Sequence, residues 1–156
     1  MNIPFLDHWL NRNDTERGAG LAAALAQDPE GVNELFSECE VLRVHARAAG
    51  LELDGSPASL EALDQLMPRW RRDPEIVPWL GNDAGFYLGT VIVRSRLGAA
   101  WQVWPNGQPA IRLASGRELN VIEWGVSWAM TGSPELSQAY AEASEGGVRP
   151  PEEGAA

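Results

Sequence analysis

The 156-residue chain contains no lysine: all twelve of its basic residues are arginine. A phosphate-loop lysine, a Schiff-base lysine and a kinase-type lysine are therefore excluded. The composition also points to a GC-rich coding sequence. Cys39 is the sole cysteine, so one chain can build neither a disulfide framework nor a thiolate metal cluster. Two histidines, His8 and His45, stand far apart, without H-x-x-x-H spacing. His45 falls near the end of an expected helix, where an imidazolium would suit the dipole. No metal or cofactor is expected. No apolar run approaches the roughly 18 residues a membrane span requires. Asp7 interrupts the first apolar segment and no basic region precedes it, so the expected location is the cytoplasm.

Twelve arginines against 22 acids give a net charge of −10, which disfavours nucleic-acid binding, where phosphate neutralisation dominates affinity. The charge is uneven. Residues 69–117 hold seven arginines (Arg69, Arg71, Arg72, Arg94, Arg96, Arg112, Arg117) against Asp73, Glu75 and Asp83, so that window is +4 and the remainder −14.

What is present is an apolar pattern divided by polar breaks. Phe5, Leu6, Trp9 and Leu10 share one helical stripe in IPFLDHWL, and NRNDTERGAG then reads as a linker. Exposed apolar clusters of that kind mark contact sites. The segment either folds back as a short helix onto the protein's own core, the favoured reading, or docks as an amphipathic helix in a groove on a partner, which makes it a candidate partner-binding element. Gly18-Ala19-Gly20-Leu21-Ala22-Ala23 matches a dinucleotide fingerprint, but no strand precedes it and a linker is the better reading. LAAALAQ is helix-prone up to Asp28-Pro29. In EGVNELFSECEVLRVHARAAG, Val32, Leu35, Phe36, Cys39, Leu42, Ala46 and Ala49 recur at helical steps, and Gly50 supplies a stop, so one helix is predicted. Cys39 lies on its apolar stripe and reads as a small buried hydrophobe. Ser56-Pro57 opens a helix with Leu60, Leu63, Leu66 and Met67 inside and Pro68 at its end.

WLGNDAGFYLGTVIVRSRLGAAWQVWPNG, residues 79–107, holds three of the seven tryptophans. Thr90-Val91-Ile92-Val93 reads as strand by propensity. Gly81, Gly85 and Gly89, at steps of four, would instead line one face of a helix, letting another backbone approach closely. The spacing favours a helix over about 83–95, with Asn82 or Asp83 as its cap. From Trp101 onward the pattern is β: WQVW, a PNG turn, PAIRLA, an SG turn and RELNV make an antiparallel meander. IEWGVSWAM returns to helical spacing, with Ile122, Val126 and Met130 on one stripe and Trp124 and Trp128 beside it. Ser133-Pro134 starts a last helix, and residues 145–156 read as a disordered acidic tail.

The expected architecture is α+β: N-terminal helices, a small three-stranded antiparallel meander, and C-terminal helices packed on one face of it. The domain division is an apolar peptide and linker over 1–18, a single domain over 19–144, and the tail.

For chemistry, Ser127 in GVSWA lacks the second glycine of a nucleophile elbow. Asp83 and Glu123 are the one acid pair weighed for acid–base work. Trp101 and Trp104, three apart on one strand, face opposite sides of the sheet unless a bulge intervenes. An exposed indole beside Arg112 or Arg117 would suit a partner or ligand. The candidate contact residues are therefore Phe5, Leu6, Trp9, Leu10, Trp101, Trp104, Arg112 and Arg117, with Gly81, Gly85 and Gly89 as structural glycines.

The stretches MNIPFLDHW, PWLGNDAGFYLGTVIVR, W-x-V-WPNG-x-P-x-x-RLASGRELNV and TGSPELSQAY resemble a family of small acidic actinobacterial proteins, a domain of unknown function. The likeness covers nearly the whole chain, weakest over 11–28 and after 145. It carries over no activity, cofactor or site residue. More loosely, a G-x-Y-L-G helix followed by a tryptophan-bearing strand is similar to several bacterial accessory α+β domains, which adds weight to the helix over 83–95. The leading expectation is a non-catalytic accessory or interaction protein with a protein partner. A small-molecule or peptide binder using a Trp/Arg surface is the second, and an enzyme using Asp83 or Glu123 the third.

Overall fold

The computed structural model describes residues 14–144, with side chains from residue 19. The apolar segment with Phe5, Leu6, Trp9 and Leu10, and the tail from residue 145, lie outside the described residues.

Five helices come first: α1 (Asp14–Gln27), α2 (Pro29–Phe36), α3 (Glu40–Ala48), α4 (Pro57–Trp70) and α5 (Val77–Ser95). Strands β1 (Ala100–Val103), β2 (Pro109–Arg112) and β3 (Glu118–Leu119) follow, then α6 (Val121–Thr131) and α7 (Leu136–Glu142). The strands form an antiparallel sheet in the order β1-β2-β3. The architecture is α+β.

α5 is the centre. Buried residues run round its whole circumference from Val77 to Ile92, with Leu80, Tyr87, Leu88, Val91 and Ile92 fully inside. An all-round apolar helix carries no 3.6-residue signal, which is why Thr90–Val93 looks strand-like in isolation. It starts six residues before the expected boundary, at Val77 with Pro78 in its first turn.

Its most extensive contact is with α6, and glycine makes that contact possible. A Cβ on Gly81 would lie 2.9 Å from the Val126 Cα, and one on Gly85 would lie 2.6 Å from the Ile122 Cα and 2.7 Å from the Val121 carbonyl oxygen. Gly125 of α6 sits reciprocally against the backbone of Gly81 and Gly85. The order of these pairs makes the two helices antiparallel. One turn further along α5, Gly89 leaves room for the Trp101 ring.

The structure corrects four local expectations. Asp14–Gln27 is one helix, so the stretch read as a linker is partly helical and Gly18 and Gly20 lie within a helix, not in a phosphate-binding turn. Leu21, Ala24 and Leu25 pack on the core, and such tertiary burial outweighs the low propensity of the two glycines. The single helix expected over 32–49 is two, broken at Ser37–Cys39, where Cys39 takes a left-handed conformation with φ 39°. The apolar spacing survives because the break spans three residues, so Phe36, Cys39 and Leu42 remain inward. The Arg43 guanidinium binds the carbonyls of Ser37, Glu38 and Leu53 there. Pro68 does not end α4, which runs on to the buried Trp70. α7 begins at Leu136, two residues beyond Pro134.

Of the α6 stripe Ile122–Val126–Met130, only Ile122 is buried, and Met130 is 63% exposed. Val121, Ile122, Gly125, Trp128 and Ala129 face inward. The helix buries its small residues against α5, and hydrophobicity alone misplaces such a face.

Placing leucine at Gly85 drives a branched side chain into the α6 backbone. Gly85→Leu is expected to destabilise by more than the ~1–3 kcal/mol usual for overpacking, measured by denaturant unfolding. A variant unfolding at the wild-type midpoint would remove this seam from the account of stability.

Candidate functional site

Alternation along the meander sorts its side chains. Trp101, Ile111 and Leu119 are in register and face the helices. Ala100, Gln102, Ala110, Arg112 and Glu118 belong to the opposite, outer face. Turns at Gly107 (φ 85°) and Gly116 (φ 91°) hold this pairing.

The two candidate tryptophans thus part company. Trp101 is 7% exposed; its ring packs edge-on against Phe36 at 4.8 Å and lies 6.1 Å from Phe86. Its indole N–H donates to Asn33 Oδ1 at 2.8 Å, so the buried polar end has a partner. Trp101 is core and takes no place on a surface. Trp104 is half-buried, stands apart from the core cluster, and donates to Glu118 Oε1 at 2.6 Å. Glu118 is the register partner of Arg112, which is exposed. The structure therefore brings Trp104 and Arg112 to one face, where Glu118 accepts from the indole and is the register partner of the arginine. Arg117 reaches elsewhere, donating to the Glu142 carbonyl in the last turn of α7.

Two further features of this outer face escaped the sequence reading. Ala110 is fully buried although it does not belong to the core cluster. Opposite it in register, Gln102 has a buried Nε2 with no hydrogen-bond partner among the described residues. Neither alanine nor glutamine carries a signal in sequence; only the pairing register makes them notable.

The acids weighed for catalysis are held apart. Gly81 and Gly85 face α6, whereas Asp83 between them points to α3, where its Oδ2 accepts the Leu42 N–H at 3.0 Å. Glu123 is exposed and forms a reciprocal cap with Asn120 at the start of α6. Burial raises the Asp83 carboxyl above the ordinary aspartate range, against the lowering effect of the Leu42 and Val41 amides, while Glu40 raises it further. The Cys39 thiol lies 3.1 Å from the Phe36 carbonyl oxygen and 3.3 Å from that of Asp83. Burial first, and then the Asp83 charge, hold it well above the usual thiol range, which is the opposite of an activated nucleophile.

Asp64, which the sequence did not mark, performs a similar task. Its carboxylate accepts the Trp128 indole N–H at 2.8 Å, the Leu136 N–H at 2.7 Å and the Ser137 N–H at 3.1 Å, so it caps α7 from another helix. Glu135, the residue before α7, makes no side-chain cap of its own. Donor and acceptor are separated by 72 positions, so no local pattern reveals the pair. Arg71 does the converse at the other pole, donating to the Ala129 and Trp128 carbonyls at the end of α6. Ser127 donates its hydroxyl to the Ser133 carbonyl.

Among the described residues no group of three or more His, Cys, Asp or Glu side chains is placed to hold a metal ion. None of the described helices is long and apolar enough to cross a membrane.

A family model described as a family of unknown function, DUF6278, matches residues 1–146. The chain belongs to that family. No curated protein and no solved structure matches it. In this DUF6278 chain the outer face around Trp104, Arg112, Glu118 and Gln102 is the candidate site.

Asp83 gives a pH test. A carboxyl raised in the folded state contributes stability below the unfolded-state pKa, near 4 for aspartate, and that contribution is lost as pH rises through the folded value. Asp83→Asn keeps an oxygen for the Leu42 amide but cannot ionise. Between pH 4 and pH 7 the wild type is expected to lose stability relative to Asp83→Asn in paired denaturant titrations. A gap that stays constant, or that moves in favour of the wild type as pH rises, contradicts this account of Asp83.

Proposed function

We propose that this DUF6278 chain is a non-catalytic interaction protein of the actinobacterial cytoplasm, an adaptor, immunity-like or regulatory domain, whose contact surface is the outer face of the meander. The observation that carries the reading is that a half-buried indole, Trp104, and an exposed guanidinium, Arg112, lie on the same face of the meander, outside the core. Tryptophan and arginine are the residues that concentrate binding energy at protein interfaces, because each combines a large flat contact area with directed hydrogen bonds. Glu118 already holds the Trp104 ring in place, so less side-chain freedom is lost on binding. The acids weighed for proton transfer serve helix ends instead, Asp83 that of α3 and Glu123 that of α6, as Asp64 does for α7. The net charge of −10 favours a protein partner over nucleic acid. The absence of lysine, through its GC-rich coding, is the feature that supports an actinobacterial source.

A second reading has its own support. The buried, unpaired Nε2 of Gln102 is the kind of group that fixes the orientation of a peptide carbonyl or a small polar ligand. The acid–base alternative draws nothing from the separate positions of Asp83 and Glu123.

Affinity capture of the tagged full chain from its host lysate, with mass spectrometry, tests the proposal. Trp104→Ala and Arg112→Glu are each expected to reduce recovery of a specific partner by roughly tenfold or more, the scale of a central interface contact. Their melting temperatures should stay close to wild type, since neither side chain packs in the core. Variants that remain folded and recover the same proteins as wild type would show that the partner binds elsewhere.

A further inference from the structure

Among the described residues four large apolar side chains are exposed: Val44, Trp79, Leu97 and Met130. Trp79 and Met130 are each 63% exposed, and the pairing of α5 with α6 sets them on one surface. Gly81 and Gly125 mark the seam between the helices, so Asn82 and Val126, one residue on, turn about 100° away from it. In an antiparallel pair that step leads to the same side. Asn82 and Val126 are both half-buried, as residues flanking a seam should be. One turn further toward the start of α5 and the end of α6 stand Pro78, Trp79 and Met130, all exposed. This end lies away from the sheet: Trp79 is about 24 Å along α5 from Ser95, near which β1 begins. Charge frames the surface at both ends. Toward the sheet, exposed Glu123 shares the α6 stripe of Val126 and Met130. At the other end Arg71 sets its guanidinium on the Ala129 and Trp128 carbonyls, and the next residue, Arg72, is exposed. The connection 69–76 holds three arginines against Asp73 and Glu75, and the Asp73 carboxylate accepts the Glu75 N–H.

We infer that this surface is where two copies of the chain meet, about a two-fold axis through the Trp79 and Met130 patch. Copies that each carry −10 repel one another, so they associate only through a surface that is not acidic. Pro78, Trp79, Asn82, Val126 and Met130 carry no charge, and tryptophan and methionine are enriched in interface cores. A two-fold contact must also be self-complementary, since each copy offers the same patch. The charged frame meets that condition: the axis sets the Arg72 end of each copy against the Glu123 end of the other. An acidic or a basic foreign segment would meet one favourable charge here and one like charge. A second copy meets two favourable ones. Helix faces no longer than the ~16 Å of α6 present less than the ~800 Å² that each side of a standard interface buries. The association is therefore reversible, with a dissociation constant on the order of 10 µM. It leaves the outer face of the meander, at the other end of α5, open in both copies.

Sedimentation equilibrium of the purified full chain, from about 1 µM to about 500 µM, reads the contact. The mean mass is expected to rise from monomer toward dimer across that range. Trp79→Glu and Met130→Glu are each expected to raise the dissociation constant by roughly tenfold or more. Neither side chain belongs to the core, so their melting temperatures should stay close to wild type, and if one variant fails to fold the other decides. Arg72→Glu is expected to weaken the dimer by roughly threefold or more, and adding Glu123→Arg should recover most of that loss. A merely structural defect cannot produce such a recovery. A chain still monomeric at about 500 µM overturns the proposal and leaves the patch to a different protein. So does a dimer that the folded Trp79→Glu and Met130→Glu variants leave as tight as wild type. A double variant no tighter than Arg72→Glu alone overturns the two-fold arrangement. No other protein enters these measurements, so the dimer can fail while partner capture through Trp104 and Arg112 succeeds, and the reverse.

Discussion

The backbone contact between α5 and α6 is the constraint from which the rest of the arrangement follows. Gly81, Gly85 and Gly125 let the two helices approach until main-chain atoms face one another. Both helices are tied closely to the sheet: β1 begins at Ala100, after α5 ends at Ser95, and α6 begins at Val121, after β3 ends at Leu119. Fixing the helices therefore fixes both edges of the meander. Gly89 extends the same stripe to Trp101, whose ring then meets Phe36 and Phe86 and draws α2 over the inner face. One line of small residues thus places helix, sheet and aromatic cluster together. Glycine within a helix costs roughly 0.5–1 kcal/mol relative to alanine through its extra unfolded-state freedom, and close backbone packing is what offsets that cost.

Helix ends impose the second requirement. Each leaves backbone groups without intrahelical partners. Here several are met by charged side chains from other elements: Asp83 at the start of α3, Asp64 at the start of α7, Arg71 at the end of α6 and Arg43 beyond the end of α2. Each sign matches the end of the helix dipole it meets. Such caps lock elements into relative position, which a local Ser or Asn cap cannot do. For Asp83 the arrangement leaves a buried carboxylate whose ionisation burial opposes, so its capping strength and its desolvation act against each other.

The sequence made visible those features whose cause is local. Ser56 before Pro57 opens α4, and the Asn106-Gly107 and Ser115-Gly116 turns separate three strands in the expected order. Gly81, Gly85 and Gly89 stood out by their spacing. Features whose cause is distant were hidden. The break at Cys39 depends on Asp83, 44 positions away, and the start of α7 on Asp64, 72 positions away. Helical spacing in 122–130 did not say which face of α6 is inner; burial there takes in Gly125, Trp128 and Ala129 and leaves Met130 exposed. At the candidate site, two-residue alternation was enough to say that Trp101 and Trp104 diverge. It could not say which would be core; Asn33 and Phe36 decide that from α2.

That division also bears on where function can reside. Trp101 is spent on stability: removing it would empty a site lined by Phe36 and Phe86 and strand the amide oxygen of Asn33. Trp104 stands outside the core cluster, so the fold gains little from its indole. The buried Nε2 of Gln102 has no acceptor among the described residues, and a buried N–H left in that state costs about 1–3 kcal/mol, a sizeable part of the ~5–15 kcal/mol that holds a domain together. A leucine or threonine at that position would avoid the cost. A face that combines a weakly used tryptophan, an exposed arginine and an unpaired amide is poorly explained as scaffold.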